Sequence, residues 1–190
     1  MSWFRKQMFK AVLWASNKFA SKPDKERIFK ALSSLHDCIV KQEKKKGPVI
    51  QFDCKKEKFI IFSDQHKGAK NGADDFMICE PNYLAALDYY YEKGYLLIAL
   101  GDCEELWENL WVSVKKKQQA SFEKERKFAE ANRFVKIFGN HDLFWHNDPL
   151  AGFQLKEVYG TDIHIYEGAL LQTTIDDQAV NIFCTHGHQG

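Results

Sequence analysis

Phe134-Val135-Lys136-Ile137-Phe138-Gly139-Asn140-His141-Asp142 sets an apolar run, interrupted only by Lys136, directly before a glycine and three donor-bearing side chains. An aromatic and β-branched run of this length, closed by a turn-forming cluster, reads as a strand. The same transition occurs at three other places. Phe59–Phe62 leads into Ser63-Asp64-Gln65-His66, residues 95–100 into Gly101-Asp102-Cys103-Glu104-Glu105, and residues 180–184 into Thr185-His186-Gly187-His188. Open α/β sheets build ligand sites at the carboxyl ends of their strands. Four strands delivering Asp, Asn and His at those ends therefore predict one convergent site. The interval from Asp64 to Asp102 equals that from Asp102 to Asn140. Each suits one strand-helix-strand unit, whose crossover takes a dozen or more residues.

Outward from these strands, the pattern alternates. Residues 49–52 and 59–62 read as strands on either side of a charged turn, and Tyr83, Leu84, Leu87 and Tyr91 as a helix face before the strand at 95–100. That strand is apolar throughout, as expected of a parallel strand covered on both faces. Residues 104–132 read as mostly helical, with Leu106, Trp107, Leu110 and Trp111 forming a face packed on the core or, alternatively, a wall beside the site. Strands follow near residues 163–166, 170–174 and 180–184. At the other end, residues 2–20 form a helix with Phe4, Met8, Ala11, Val12, Ala15 and Phe19 on one side. Lys6, Lys10 and Lys18 lie opposite with Trp3 and Trp14, and no acid precedes Asp24. A second helix starts near Ser21 or Lys22 with Pro23 in its first turn, carries Ile28, Leu32, Leu35 and Ile39, and stops at Lys44-Lys45-Lys46-Gly47-Pro48. The organisation is α/β, with a helical extension over residues 1–46 and a single domain over 47–190.

Composition narrows the class further. The 190 residues are 45% apolar and 28% charged with a net charge of +1, which suits one folded domain and argues against intrinsic disorder. A near-neutral chain gives no strong nucleic-acid signal. Five widely spaced cysteines, Cys38, Cys54, Cys79, Cys103 and Cys184, form no Cys-x-x-Cys pair and suggest neither a disulfide framework nor a zinc knuckle. No apolar run approaches the ~20 residues of a membrane span, and the N-terminus lacks the features of a secretory signal. A cytoplasmic location is expected, with peripheral membrane contact through the basic N-terminal helix.

The donor residues suggest metal chemistry. In extended backbone Asp64 and His66 project to the same side, and such a pair can grip one ion. The Asp102 carboxylate can bridge two ions, Asn140 offers a carbonyl oxygen and His186 an imidazole nitrogen. Oxygen and nitrogen donors without thiolate favour zinc, manganese or iron over calcium. Two ions about 3.5 to 4 Å apart would generate a hydroxide nucleophile and clamp a phosphoryl group for in-line attack.

Asp64-x-His66, Gly101-Asp102-x-x-Glu105, Gly139-Asn140-His141-Asp142 and His186-Gly187 stand in the order found in calcineurin-like metallophosphoesterases, which the chain resembles from about residue 59 to 190. The resemblance implies a layered α/β/β/α sandwich with mixed sheets. It implies metal-dependent hydrolysis of a phosphate ester, whether phosphomonoester, phosphodiester or pyrophosphate, by a metal-bound hydroxide. It further implies that Asp64 and His66 bind a first divalent ion (Mn, Zn or Fe), that Asp102 bridges, and that Asn140 and His186 bind a second. His141 would face the substrate as general acid or phosphoryl stabiliser, with Asp142 orienting its ring. Asp-x-His with the later His-Gly resembles the subgroup that includes UDP-diacylglucosamine pyrophosphohydrolases. In two places the chain departs from the pattern. Glu105 stands where the family usually has Asp, and Gly187-His188-Gln189-Gly190 begins like the family's later Gly-His-x-His element with glycine in place of its second histidine. The second sheet is therefore expected to be incomplete at the C-terminus, and the domain truncated before the last metal-binding motif.

Other residues carry plainer readings. Asp74 and Asp75 suit a helix cap, His36, His146 and His164 suit surface or packing positions, Lys115-Lys116-Lys117 a solvated helix end, and Cys103 a buried small side chain. The alternatives to the phosphoesterase reading are a nucleotide or nucleic-acid phosphodiesterase and a catalytically inactive metal-binding or interaction fragment.

Overall fold

A computed structural model describes residues 3–19, 24–72 and 74–189. Its elements are α1 (Trp3–Phe19), α2 (Lys25–Val40), β1 (Val49–Gln51), β2 (Phe59–Phe62), α3 (Phe76–Glu92), β3 (Leu96–Leu100), α4 (Trp111–Lys117), α5 (Gln119–Glu130), β4 (Phe134–Ile137), α6 (Phe144–Asn147), α7 (Ala151–Tyr159), β5 (Ile165–Tyr166), β6 (Gly168–Ile175) and β7 (Gln178–Thr185). Start residues Ser21, Lys22 and Pro23, expected to open the second helix, lie outside the described residues. The Asp24 side chain caps α2 by accepting from the backbone N–H groups of Glu26 and Arg27.

Two sheets result. One is parallel in the order β2-β3-β4-β5; the other, β1-β6-β7, is mixed, with β1 parallel to β6 and β7 antiparallel to it. The strands β1 and β2, which flank a charged turn in sequence, are not partners. They belong to different sheets, β1 along β6 and β2 along β3. The β6-β7 connection is the true hairpin. Asp176 and Asp177 both take positive φ there, the two-residue turn whose twist matches the flanking strands.

Alternation along the strands sorts side chains into layers. In β3, Leu97 packs with Phe76, Tyr83, Leu87 and Phe128 of α3 and α5, whereas its neighbour Ile98 packs with Ala169, Leu171 and Cys184 of the other sheet. In β6, Ala169 and Leu171 face that same space between the sheets, and Leu170 faces Leu35 and Ile39 of α2. The molecule is thus helices, parallel sheet, mixed sheet, helix: an α/β/β/α sandwich. Burying each large aliphatic side chain in these layers contributes about 1.5–3 kcal/mol. Helix α2 ends at Val40 rather than at the Lys44–Pro48 stop signal, because Gln42, Lys44 and Lys45 adopt left-handed backbone.

The long helix expected over residues 104–132 divides. Residues 104–110 form a loop, and α4 and α5 follow it. Trp107 and Trp111 therefore do not share a helix face. Trp111 packs on Phe122 and Trp145, as a core residue should, but Trp107 is 66% exposed. Lys136, the polar interruption in β4, is fully buried on the helix side of the sheet, where its ammonium meets both carboxylate oxygens of Glu104.

Candidate metal centre

The loops after β2, β3, β4 and β7 meet at one edge of the sandwich, so the mixed sheet contributes His186 to a site otherwise built on the parallel one. Pairing between β2 and β3 continues past the strand ends. His66 and Lys67 donate backbone N–H groups to the carbonyls of Asp102 and Cys103, and Glu105 donates back to Lys67. These zipped loops hold Asp64, His66 and Asp102 at φ of 56°, 49° and 50°. The extended backbone expected for Asp64-x-His66 is absent; a left-handed turn brings the two side chains together instead. Left-handed backbone costs a non-glycine residue on the order of 1–3 kcal/mol, and three such residues occur at candidate metal ligands. Gly101 and Gly139 meet a complementary constraint. A Cβ on Gly101 would collide with the His186 ring, and one on Gly139 with the Asp102 carboxylate.

The donor atoms fall into two groups, His66-Asp102-His141 and Asp64-Asp102-His186, which share Asp102. His186 Nε2 lies 3.5 Å from Asp64 Oδ1 and 3.4 Å from Asp102 Oδ2, and His66 Nε2 lies 3.7 Å from Asp102 Oδ2 and 4.0 Å from Asp64 Oδ1. Ligands held about 2.0–2.2 Å from one ion in tetrahedral array sit about 3.4 Å from each other. The residues present therefore fit divalent metal, and their mixed oxygen and nitrogen donors suit a first-row transition ion. Asp102 is buried, and its Oδ1 accepts the backbone N–H of His141 at 2.8 Å. Asn140 is half-buried between Gly139 and His141, in the loop that touches Asp102.

Glu105 organises the imidazoles. Its Oε2 accepts from His66 Nδ1 at 2.8 Å and from His141 Nδ1 at 2.6 Å, while Oε1 accepts the backbone N–H of Trp107 at 3.1 Å. With Nδ1–H committed to the carboxylate, each neutral ring has its Nε2 lone pair free for the site. Burial pushes the Glu105 carboxyl up, but the hydrogen bonds it accepts from His66, His141 and the Trp107 backbone outweigh it and hold the group below the usual carboxylate range. Asp64 is also lowered, chiefly by the Ser63 hydroxyl 2.5 Å from its Oδ2, with His186 adding to the effect.

Asp142 does not orient the His141 ring; Glu105 does. The Asp142 carboxylate is fully buried and accepts the backbone N–H groups of Gly139 at 2.6 Å, Cys103 at 2.9 Å and Asp102 at 3.3 Å. It fastens the loop after β3 to the loop after β4. Burial holds its carboxyl above the usual range.

The buried charges beneath the loops escaped the sequence reading, whereas Trp107 takes the alternative offered for it, beside the site. The Trp107 indole stacks on His141 with centroids 3.9 Å apart and planes 22° from parallel, so it forms a wall beside the site. Below, Glu104 meets Lys136 at 2.8 Å and Lys67 at 3.2 Å, Lys67 meets Glu125 at 2.5 Å, and Tyr83, Tyr159 and Trp145 donate to these carboxylates. Lys136 within an apolar strand was the visible signal of this network. Burial pushes the Cys103 thiol far up, which removes it as a nucleophile. Asp74 caps α3 through Met77 N–H and also accepts from Lys70 and Gln118, whereas Asp75 makes no side-chain cap. A cavity of about 670 Å³ opens beside Asp64 and His66, walled chiefly by Phe62, Phe76, Tyr83 and Ala86, with Gln65, Asp75 and Asn82 also at its wall.

Residues 57–189 match the family model described as calcineurin-like phosphoesterase. No curated protein and no solved structure matches the chain.

Proposed function

Because this chain belongs to the calcineurin-like phosphoesterase family, a family of metal-dependent phosphate-ester hydrolases, we propose that it hydrolyses a phosphate ester at a dinuclear centre formed by Asp64, His66, Asp102, Asn140 and His186. The observation that carries the proposal is the pair of donor groups sharing Asp102. A carboxylate common to both groups is the requirement for a bridging ligand. Two divalent ions, manganese being the first choice, would supply Lewis acidity toward the phosphoryl oxygens and acidify a water for in-line attack.

The chain's own residues divide the remaining work. His186 and His66 both bring Nε2 toward Asp102 Oδ2, and both also lie near Asp64 Oδ1. Glu105 keeps the His66 and His141 rings in the Nδ1–H tautomer. His141 is proposed to face the substrate and to stabilise or protonate its oxygens through Nε2, with the Trp107 ring limiting its rotation. Asp142 contributes by tying two loops together through backbone N–H groups rather than by touching the substrate. The cavity beside Asp64 and His66, walled by aromatic residues, supports an ester whose organic group is largely apolar.

Manganese titration with an aryl phosphate ester as reporter tests this reading. Two ions per chain and metal-dependent hydrolysis are expected, with Asp102→Asn losing both. His141→Ala should keep both ions while turnover falls about 10² to 10⁴-fold, the range for a general acid. Loss of an ion in that variant would make His141 a ligand of the His66-Asp102 group. One ion or none in the wild-type chain would overturn the dinuclear proposal and favour a metal-binding or interaction role.

A further inference from the structure

Helix α1 carries an apolar surface that its surroundings leave uncovered. Met8, Phe9, Val12, Leu13, Trp14 and Phe19 are each between 46% and 72% exposed. Met8, Val12, Ala15 and Phe19 follow at i, i+4, i+7 and i+11, with Phe9 and Leu13 beside them, so most of these groups form one broad face. Lys10 and Lys18 occupy the opposite side, where the Lys18 ammonium lies 4.9 Å from the centre of the Trp14 ring. Scattered exposed apolar residues need no explanation, but a contiguous patch of this kind marks an interaction surface.

Charge selects the occupant. The helix segment contains Arg5, Lys6, Lys10 and Lys18 and no acidic residue. A second copy of α1 packed face to face would cover the apolar groups but leave Lys10 and Lys18, on the opposite side, with no acidic partner in the helix to meet. No helix among the described residues is long and apolar enough to cross a membrane. A helix of 17 residues, about 26 Å long at 1.5 Å per residue, can instead lie flat. Its apolar face would then enter the acyl boundary and its lysines would meet phosphate headgroups, with Trp14 at the level where indoles are favoured. We propose that α1 docks the protein on anionic lipid surfaces as an interfacial helix. This inference is independent of the hydrolytic reading, since it requires no metal and no substrate.

The test uses the whole chain and vesicles of phosphatidylcholine with or without a quarter phosphatidylglycerol, read by co-sedimentation. Binding to the anionic vesicles should exceed binding to neutral ones by about tenfold or more at low salt, and fall by a similar factor when salt shortens the screening length to a few ångströms. Two variants separate the contributions. Phe9→Ser with Val12→Ser removes apolar contact, and Lys10→Glu with Lys18→Glu reverses charge; each should lose about tenfold in binding while the thermal midpoint stays unchanged. Wild-type protein that ignores both vesicles, or binds them equally, overturns the proposal. Dimerisation abolished by the Phe9 and Val12 changes, without vesicle binding, would assign the face to a second copy, and a lowered midpoint would place α1 in the fold itself.

Discussion

Glu105 is the residue on which both imidazoles depend. A single oxygen accepts Nδ1–H from His66 and His141, and the second oxygen anchors the backbone of Trp107. Glu105→Gln keeps the shape but loses the charge that favours two converging N–H donors. Manganese affinity is expected to fall about 10- to 100-fold, the usual effect of losing the partner that orients a metal-binding histidine. Glu105→Asp, shorter by one methylene, should recover only part of it because it reaches fewer of the same donors. Calorimetric titration would read both, and unchanged affinity in Glu105→Gln would remove the orienting role. The glutamate at this position is legible in the sequence, but its two partners are not, because His66 and His141 lie far from it along the chain.

At the scale of elements, the site depends on how closely the loop after β4 approaches the loop after β3. Gly139 has no room for a side chain because the Asp102 carboxylate and backbone occupy that space. Gly139→Ala must push these loops apart. The expected cost is about 1–3 kcal/mol, typical of overpacking a filled site, with manganese affinity reduced in the same variant. Chemical denaturation and metal titration would check both, and a variant with wild-type stability and affinity would show that the loops have slack. The strand-then-donor pattern made this arrangement partly legible. Leu96–Leu100 is a strand ending where its apolar run ends, and Phe134–Ile137 one ending a residue before. The left-handed turns at Asp64, His66 and Asp102 were not legible, since none of these positions is glycine and only the zipped loops enforce them.

Across the whole molecule, the buried charges join β4, the loops after β2 and β3, and helix α5. Burial alone would raise the Glu104 carboxyl, but Lys136 and Lys67 outweigh it and bring it down to about 2 from an ordinary 4.5. A carboxyl lowered on folding contributes stability above its unfolded pKa and loses it as pH falls through the folded value. The thermal midpoint should therefore decline between about pH 4.5 and pH 2 more steeply in wild type than in Glu104→Gln. Asp142, raised by burial, works in the opposite direction, and comparison with the variant isolates Glu104. Equal slopes would show that Glu104 gains nothing from its lysines. Lys136→Met should lower stability by about 3–5 kcal/mol at neutral pH, because it leaves Glu104 buried with half its counter-charge.

By itself the sequence determined the alternation of strands and helices, the strand ends that carry Asp64, Asp102, Asn140 and His186, and the covered nature of Leu96–Leu100. These follow from local rules of apolar period and turn chemistry. Tertiary structure alone decided that β1 and β2 part into different sheets, that His186 arrives from the mixed sheet to face Asp64 and Asp102, and that Glu105 replaces Asp142 at the His141 ring. It also decided that Trp107 leaves the helix it was expected to join and stacks on His141. The reason is common to all four. Each depends on a partner remote in the chain, and the free energy of meeting that partner overrides the preference of the segment read alone.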